Sequence, residues 1–133
     1  MSARTDRYQN AVARCFEAWN AREPGARAKA VADAWAPQGG CTGLPPEGGP
    51  PADVRGHEGI TAVVTAAQEQ FPGFAFRLTG AVDGHHDTAR FSWEPVSEAD
   101  GAAPVAGSGV ITLDADDRVV TVLGFPDRVP AGA

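Results

Sequence analysis

Apolar side chains recur at spacings of three and four through the first part of the chain, and at spacings of two through its second half. Tyr8, Val12, Cys15, Phe16 and Trp19 share one helical face, which predicts a first helix over about Asp6 to Ala21. Asp6 and Gln9 have the spacing of a capping box at its start. Glu23-Pro24 restarts the chain, with Pro24 suited to a first helical position. Ala28, Val31, Ala32 and Trp35 then form a second short stripe that Pro37 stops, so the first two helices make an αα-hairpin. Gly39 to Leu44 reads as a short strand, and residues 45–52, rich in Pro and Gly, read as a surface loop with the length of a lid. A third helix from about His57 to Gln70 puts Ile60, Val63, Val64, Ala67 and Phe71 on one face, and Pro72-Gly73 ends it.

Beyond Gly73 the period falls to two. Phe74, Phe76, Leu78 and Val82 alternate with Arg77 and Thr79, and Ala89, Phe91 and Trp93 alternate with Arg90, Ser92 and Glu94. Val105, Ile111 and Leu113 lie on one parity of a third run, and Leu123 and Phe125 close a fourth. Turn signals at Asp83-Gly84, Asp100-Gly101 and Asp114 to Asp117 separate these runs, which predicts an antiparallel meander. Helices first and strands afterwards is an α+β order, and a twisted sheet that curls around helices on one face without closing leaves a cavity between them.

Composition narrows the function classes. The 133 residues suit one domain, with a core over about 6–127 and a single hydrophobic centre. A net charge of −6, with ten scattered arginines and one lysine, lacks the clustered basic surface that nucleic acid demands. Cys15 and Cys41 have neither the number nor the spacing of a disulfide framework or a zinc site, and read as reduced thiols near the core. No metal or cofactor is implied. No apolar run reaches the roughly 20 residues of a membrane span, and the N-terminus lacks a secretory apolar stretch, so the expected location is cytoplasmic.

Several stretches then carry a resemblance. Phe16 to Asn20, Trp35-Ala36-Pro37, Val54 to Ile60, Arg77 to Asp87, and Leu113 to Val119 resemble, in order, motifs of the SnoaL-like, polyketide-cyclase-like branch of the nuclear-transport-factor-2-like superfamily. The resemblance implies a cone in which three N-terminal helices pack on a curved, mainly antiparallel sheet around a pocket. It also implies a homodimer formed through the outer sheet face. Members include ketosteroid isomerases, polyketide cyclases, dehydratases and non-enzymatic binding proteins, so the resemblance alone does not fix the activity.

The isomerase branch needs a carboxylate base after the second helix and two acidic hydrogen-bond donors. Matched to this chain, those positions fall at Gly43, near Cys15 or Phe16, and near Gly109, so the usual acids are missing. The remaining candidates for proton transfer are His57, His86 and Cys41, with Asp53 on the loop behind them. His85 and His86 sit at a predicted hairpin tip, and His57 at a helix start. The aromatic residues Trp19, Trp35, Phe71, Phe91, Trp93 and Phe125 fall on core-facing parities and are the predicted wall of an apolar pocket. Gly107 and Gly109 are expected to bend their strand or to leave space beneath a ligand. Three readings follow: an isomerase, cyclase or dehydratase acting on a hydrophobic small molecule, a non-catalytic binder of such a molecule, and a dimeric interaction module whose interior Trp19 and Trp93 fill.

Overall fold

The computed structural model of the protein describes residues 3–43 and 52–128. Helices α1 (Ala3–Asn20), α2 (Pro24–Ala34) and α3 (Gly56–Gln70) pack on a sheet of strands β1 (Trp35–Gly43), β2 (Ala52–Arg55), β3 (Phe74–His85), β4 (Thr88–Ser97), β5 (Ala106–Leu113) and β6 (Val119–Arg128). The strand order is β2-β1-β6-β5-β4-β3, antiparallel throughout except for the parallel pair β1–β6. This is an open, curved sheet with helices on its concave face: the expected α+β cone.

Several boundaries differ from expectation. Helix α1 begins at Ala3, so Asp6 lies inside it rather than capping it. The Glu23 carboxylate caps α2, accepting hydrogen bonds from the Ala26 amide at 2.6 Å and the Gly25 amide at 3.0 Å. Those amides hold its pKa below the usual carboxylate value. Helix α2 stops at Ala34, and Trp35 opens β1 instead of closing the helix. Pro37 accounts for this, because its ring pushes the residue before it toward extended backbone. Strand β2, which begins at the last residue of the predicted loop, is an element the pattern did not predict; residues 45–51 of that loop, and Leu44 of the predicted strand, lie outside the described residues. The first long hairpin turns at His86-Asp87, in line with the tip expected at His85 and His86 and past the turn signal at Asp83-Gly84; β3 carries two extra residues between Thr79 and Asp83, with Gly80 at φ 74°.

The fourth strand carries the largest correction. Its register slips between the Leu113–Val119 and Thr112–Thr121 pairs, so Val119 and Val122 both face the helices. Past that slip, Leu123 and Phe125 point to the opposite face, where they are 42% and 51% exposed. Phe125 is therefore not on the core side.

The core joins Tyr8, Val12 and Cys15 of α1, Val31 of α2, Ile60 and Val64 of α3, and Ala89, Phe91, Ile111, Val119 and Val122 of the sheet. Arg27 is the buried charge among the described residues. Its guanidinium donates to the carbonyls of Ala21 and Arg22, to Thr65 Oγ1 at 2.9 Å and to Gln68 Oε1 at 2.5 Å. Gln68 in turn donates to the carbonyls of Trp19 and Ala21, which fixes the α1–α2 link against α3.

Candidate functional site

Strand registers divide the concave face into rows running from one end of the sheet to the other. At the end that carries the β3–β4 and β5–β6 turns, Trp35, Val119 and Leu113 lie side by side. The next row is Val54, Cys41, Val122, Ile111 and Ala89. Then come Gly43, Gly124, Gly109 and Phe91, followed by Pro126, Gly107, Trp93 and Leu78. Helix α1 runs the same way, from Arg7 at the turns to Asn20 at the far end. There the Asn20 side chain donates to the Phe76 carbonyl and accepts from its amide.

The far end is aromatic. Phe16 of α1 meets Phe91 edge-on at 5.8 Å, and Trp19 lies 5.5 Å from Phe76. Phe71, just past α3, packs on Phe74 at 5.8 Å and on Phe76 at 6.1 Å. Trp93 and Phe91 lie across β5, over Gly107 and Gly109 respectively. A Cβ on Gly109 would stand 2.6 Å from the Phe91 ring, and one on Gly107 closer still to Trp93. These glycines therefore seat rings of the chain itself, which replaces both expected roles. Phe16, Trp19, Phe71 and Trp93 are each only partly buried, and Leu78 beside Trp93 is 37% exposed.

Of the six predicted wall residues, Trp19, Phe71, Phe91 and Trp93 thus converge at the far end. Trp35 does not join them, being 0% exposed in the core near the turns. Its indole Nε1 is the buried side-chain nitrogen or oxygen without a hydrogen-bond partner among the described residues. Phe125 lies on the outer face. Phe16, Phe76 and Leu78 were not in the predicted wall, although Phe16 was already on the α1 stripe and Phe76 and Leu78 on the inward parity of their strand.

The proton-transfer candidates do not gather there. His57, in the first turn of α3, donates from Nε2 to the Trp35 carbonyl at 2.8 Å, on the side of the turns. That bond sets its tautomer and leaves Nδ1 as an acceptor. His85 and His86 are exposed and touch through their Nδ1 atoms at 3.1 Å. Asp53 is exposed on β2, opposite Thr42. Burial pushes the Cys15 thiol up to about 12 and the Cys41 thiol up to about 11, so both stay protonated and weakly nucleophilic near neutral pH. The positions matched to the isomerase acids do come together: Gly43 and Gly109 share one row with Gly124 between them, and Phe16 stands over Phe91. None carries a carboxylate or a phenol, and the one ionisable group among them, the Cys15 thiol, is buried. Among the described residues no three His, Cys, Asp or Glu are placed to hold a metal ion, and no helix is long and apolar enough to cross a membrane.

Residues 12–122 match the SnoaL-like domain family. Among solved structures, a presumed isomerase of the SnoaL-like family from Agrobacterium tumefaciens is 31% identical, with a TM-score of 0.82 over 92% of this chain and 98% of that one. A SnoaL-like protein of unknown function from Burkholderia thailandensis is 20% identical, with a TM-score of 0.67 over 95% and 98%. A presumed polyketide cyclase from Sinorhizobium meliloti is 16% identical, with a TM-score of 0.63 over 86% and 93%. The last two share the fold alone at such identities. No curated protein matches the chain. By its matched residues and its architecture, the chain belongs to the SnoaL-like family, in the nuclear-transport-factor-2-like group of α+β cones.

Proposed function

We propose that this chain binds a hydrophobic small molecule against the aromatic end of the concave face, between Phe16 and Trp19 of α1, Phe71 after α3, and Trp93 and Leu78 of the sheet. The observation that carries this reading is a group of partly exposed aromatic side chains on the face that the helices otherwise bury. Such a surface is tolerated in water at a cost, and it favours an uncharged, ring-containing partner. Membership of a family that includes isomerases and cyclases supports the same class of ligand. Binding without carboxylate chemistry is favoured, because the positions that the resemblance matches to an isomerase's acids, Gly43, Gly109 and Cys15 or Phe16, carry no carboxylate.

A second reading, isomerase or cyclase chemistry, is favoured by the likeness to the Agrobacterium protein. In this chain it falls to His57, whose imidazole is oriented by the hydrogen bond from Nε2 to the Trp35 carbonyl. A thermal-shift screen with flat apolar compounds, 2-naphthol first, separates the readings from the absence of any ligand. Stabilisation that Trp93→Ala reduces at least fivefold in affinity supports the site, whereas stabilisation by no compound contradicts it. Deuterium exchange at an acidic C–H of a bound ketone, lost in His57→Gln, would favour chemistry over simple binding.

The outer sheet face supports a second copy of the chain as partner. Leu123 and Phe125 stand exposed beside Val110, which pairs with Leu123. The charges around them balance: Arg77 and Arg128 hold Glu94, and Arg90 holds Asp83. Asp127 bonds Ser108. A chain of net charge −6 thus presents one face on which two copies meet without like-charge repulsion.

A further inference from the structure

We propose that α1 is a coupling rod between the hairpin tips and the aromatic end, held by a polar latch at its first turns. Two non-glycine residues among those described have positive φ, His86 at 51° and Asp117 at 62°. One lies at each tip, and both receive hydrogen bonds from α1. Arg7 donates to the His86 carbonyl at 2.9 Å, to Asp87 Oδ1 at 3.1 Å and to Asp117 Oδ1 at 2.7 Å. Tyr8 donates its hydroxyl to the same His86 carbonyl at 2.6 Å, and Arg14 donates to the Asp117 carbonyl at 2.6 Å. The Tyr8 ring fills the place of a side chain at Gly84, where a Cβ would lie 2.6 Å away.

Left-handed backbone is unfavourable for residues with a Cβ, and it persists where the surroundings over-determine it. Here the surroundings include three side chains of a single helix, beside the turn's own bonds from the Asp117 amide to the Asp114 carbonyl and from the Arg118 amide to Asp114 Oδ1. That helix is 18 residues and therefore about 27 Å long, and its other end carries Phe16, Trp19 and Asn20 against the sheet. A rigid helix cannot shift at the latch without moving Phe16 and Trp19. A ligand seated on those rings therefore stabilises the latch, and the latch raises affinity for the ligand by the same factor. The ligand half of this inference rests on the binding site proposed above; the mechanical half does not.

The test is amide exchange and chemical shift on the ligand-free protein, followed by titration with 2-naphthol, in Arg7→Ala and in the milder Tyr8→Phe. Tyr8→Phe keeps the ring over Gly84 and deletes only the bond to His86. The expected result is faster exchange along the first turns of α1, with shift changes reaching Phe16, Trp19 and Asn20, and naphthol affinity reduced about fivefold in Arg7→Ala. His86→Gly, which accepts positive φ freely, is expected to raise the melting temperature of Arg7→Ala more than that of the unaltered chain. Changes confined to residues 85–88 and 114–118, with Trp19 unmoved in both variants, would overturn the coupling. Failure of the unaltered chain to bind naphthol would remove the site reading instead, leaving the ligand-free measurements to decide the rod.

Discussion

Each end of the concave face carries a tryptophan of the sheet, Trp35 closed in near the turns and Trp93 partly exposed at the far end. Near the hairpin turns, Trp35, Ile111 and Val119 are fully buried. Arg7, Tyr8 and Arg14 hold the turns, and His57 holds Trp35. At the far end Phe16, Trp19, Phe71 and Trp93 remain partly open around the buried Phe76 and Phe91. Of the candidates for proton transfer, Cys41 is buried, His57 lies on the side of the turns, and His86 and Asp53 are exposed, so none gathers at the open rings. The proposed binding site thus lies where the resemblance puts the isomerase acids at Gly43, at Gly109 and near Cys15 or Phe16.

The sharpest way to break this contrast is to truncate one aromatic at each end. Trp35→Ala is expected to cost about 4 kcal/mol in chemical denaturation, because a fully buried ring leaves a cavity. Trp35→Phe should cost far less, since it removes an indole N–H that has no partner. Trp93→Ala, at the open end, is expected to cost about half as much as Trp35→Ala. Equal losses for the two alanine variants would erase the distinction between the ends.

Filling the glycines tests the far end from the other side. Gly109→Val drives a branched side chain into the Phe91 ring and is expected to cost about 2–3 kcal/mol, partly recovered by Phe91→Ala in the same chain. Arg27→Met replaces a buried cation with an apolar chain of similar length but strands Gln68 and Thr65. A loss of about 2 kcal/mol is expected, read from the same denaturation curves.

The thiols give a pH signature to the closed region. An unfolded thiol ionises near 9.0, while Cys15 keeps its proton up to about 12 and Cys41 up to about 11. Between these values the folded chain binds more protons than the unfolded one. Stability is therefore complete below pH 9 and falls as pH rises from 9 toward 12. Each thiol adds a slope of up to about 1.4 kcal/mol per pH unit, and Cys15→Ala should flatten the alkaline limb measured by urea titration at successive pH values. The smallest effect is expected on the outer face. Leu123→Ser should change monomer stability by under about 0.5 kcal/mol, yet shift sedimentation toward the monomer if two copies meet there.

Much of the cone was readable before any coordinates. The switch of period at Gly73 marked the change from helices to meander, and the stripe of α1 named the residues that now face the sheet. What failed to read was local. In Val119-Val120-Thr121-Val122, apolar residues occupy both parities, so a one-residue register slip leaves no trace in the pattern, and Phe125 was assigned inward. Strand β2 is four residues long and follows a Pro/Gly-rich stretch, too short to show alternation. Asp83-Gly84 has the composition of a turn but sits in a strand, because its glycine makes room for Tyr8 rather than for a reversal of the chain. Of the site, sequence found four of the rings that converge, and missed that the neighbouring glycines are occupied by the chain's own side chains.

The most direct test of the binding account is a two-dimensional amide and indole NMR titration with 2-naphthol. Saturable shifts are expected of the Trp19 and Trp93 indole N–H signals and of the Gly107 and Gly109 amides, with smaller ones at the turns 86–87 and 115–117 that α1 contacts, and with Leu123 and Phe125 unmoved. Saturable shifts centred on Leu123 and Phe125, or none at all, would contradict the binding account.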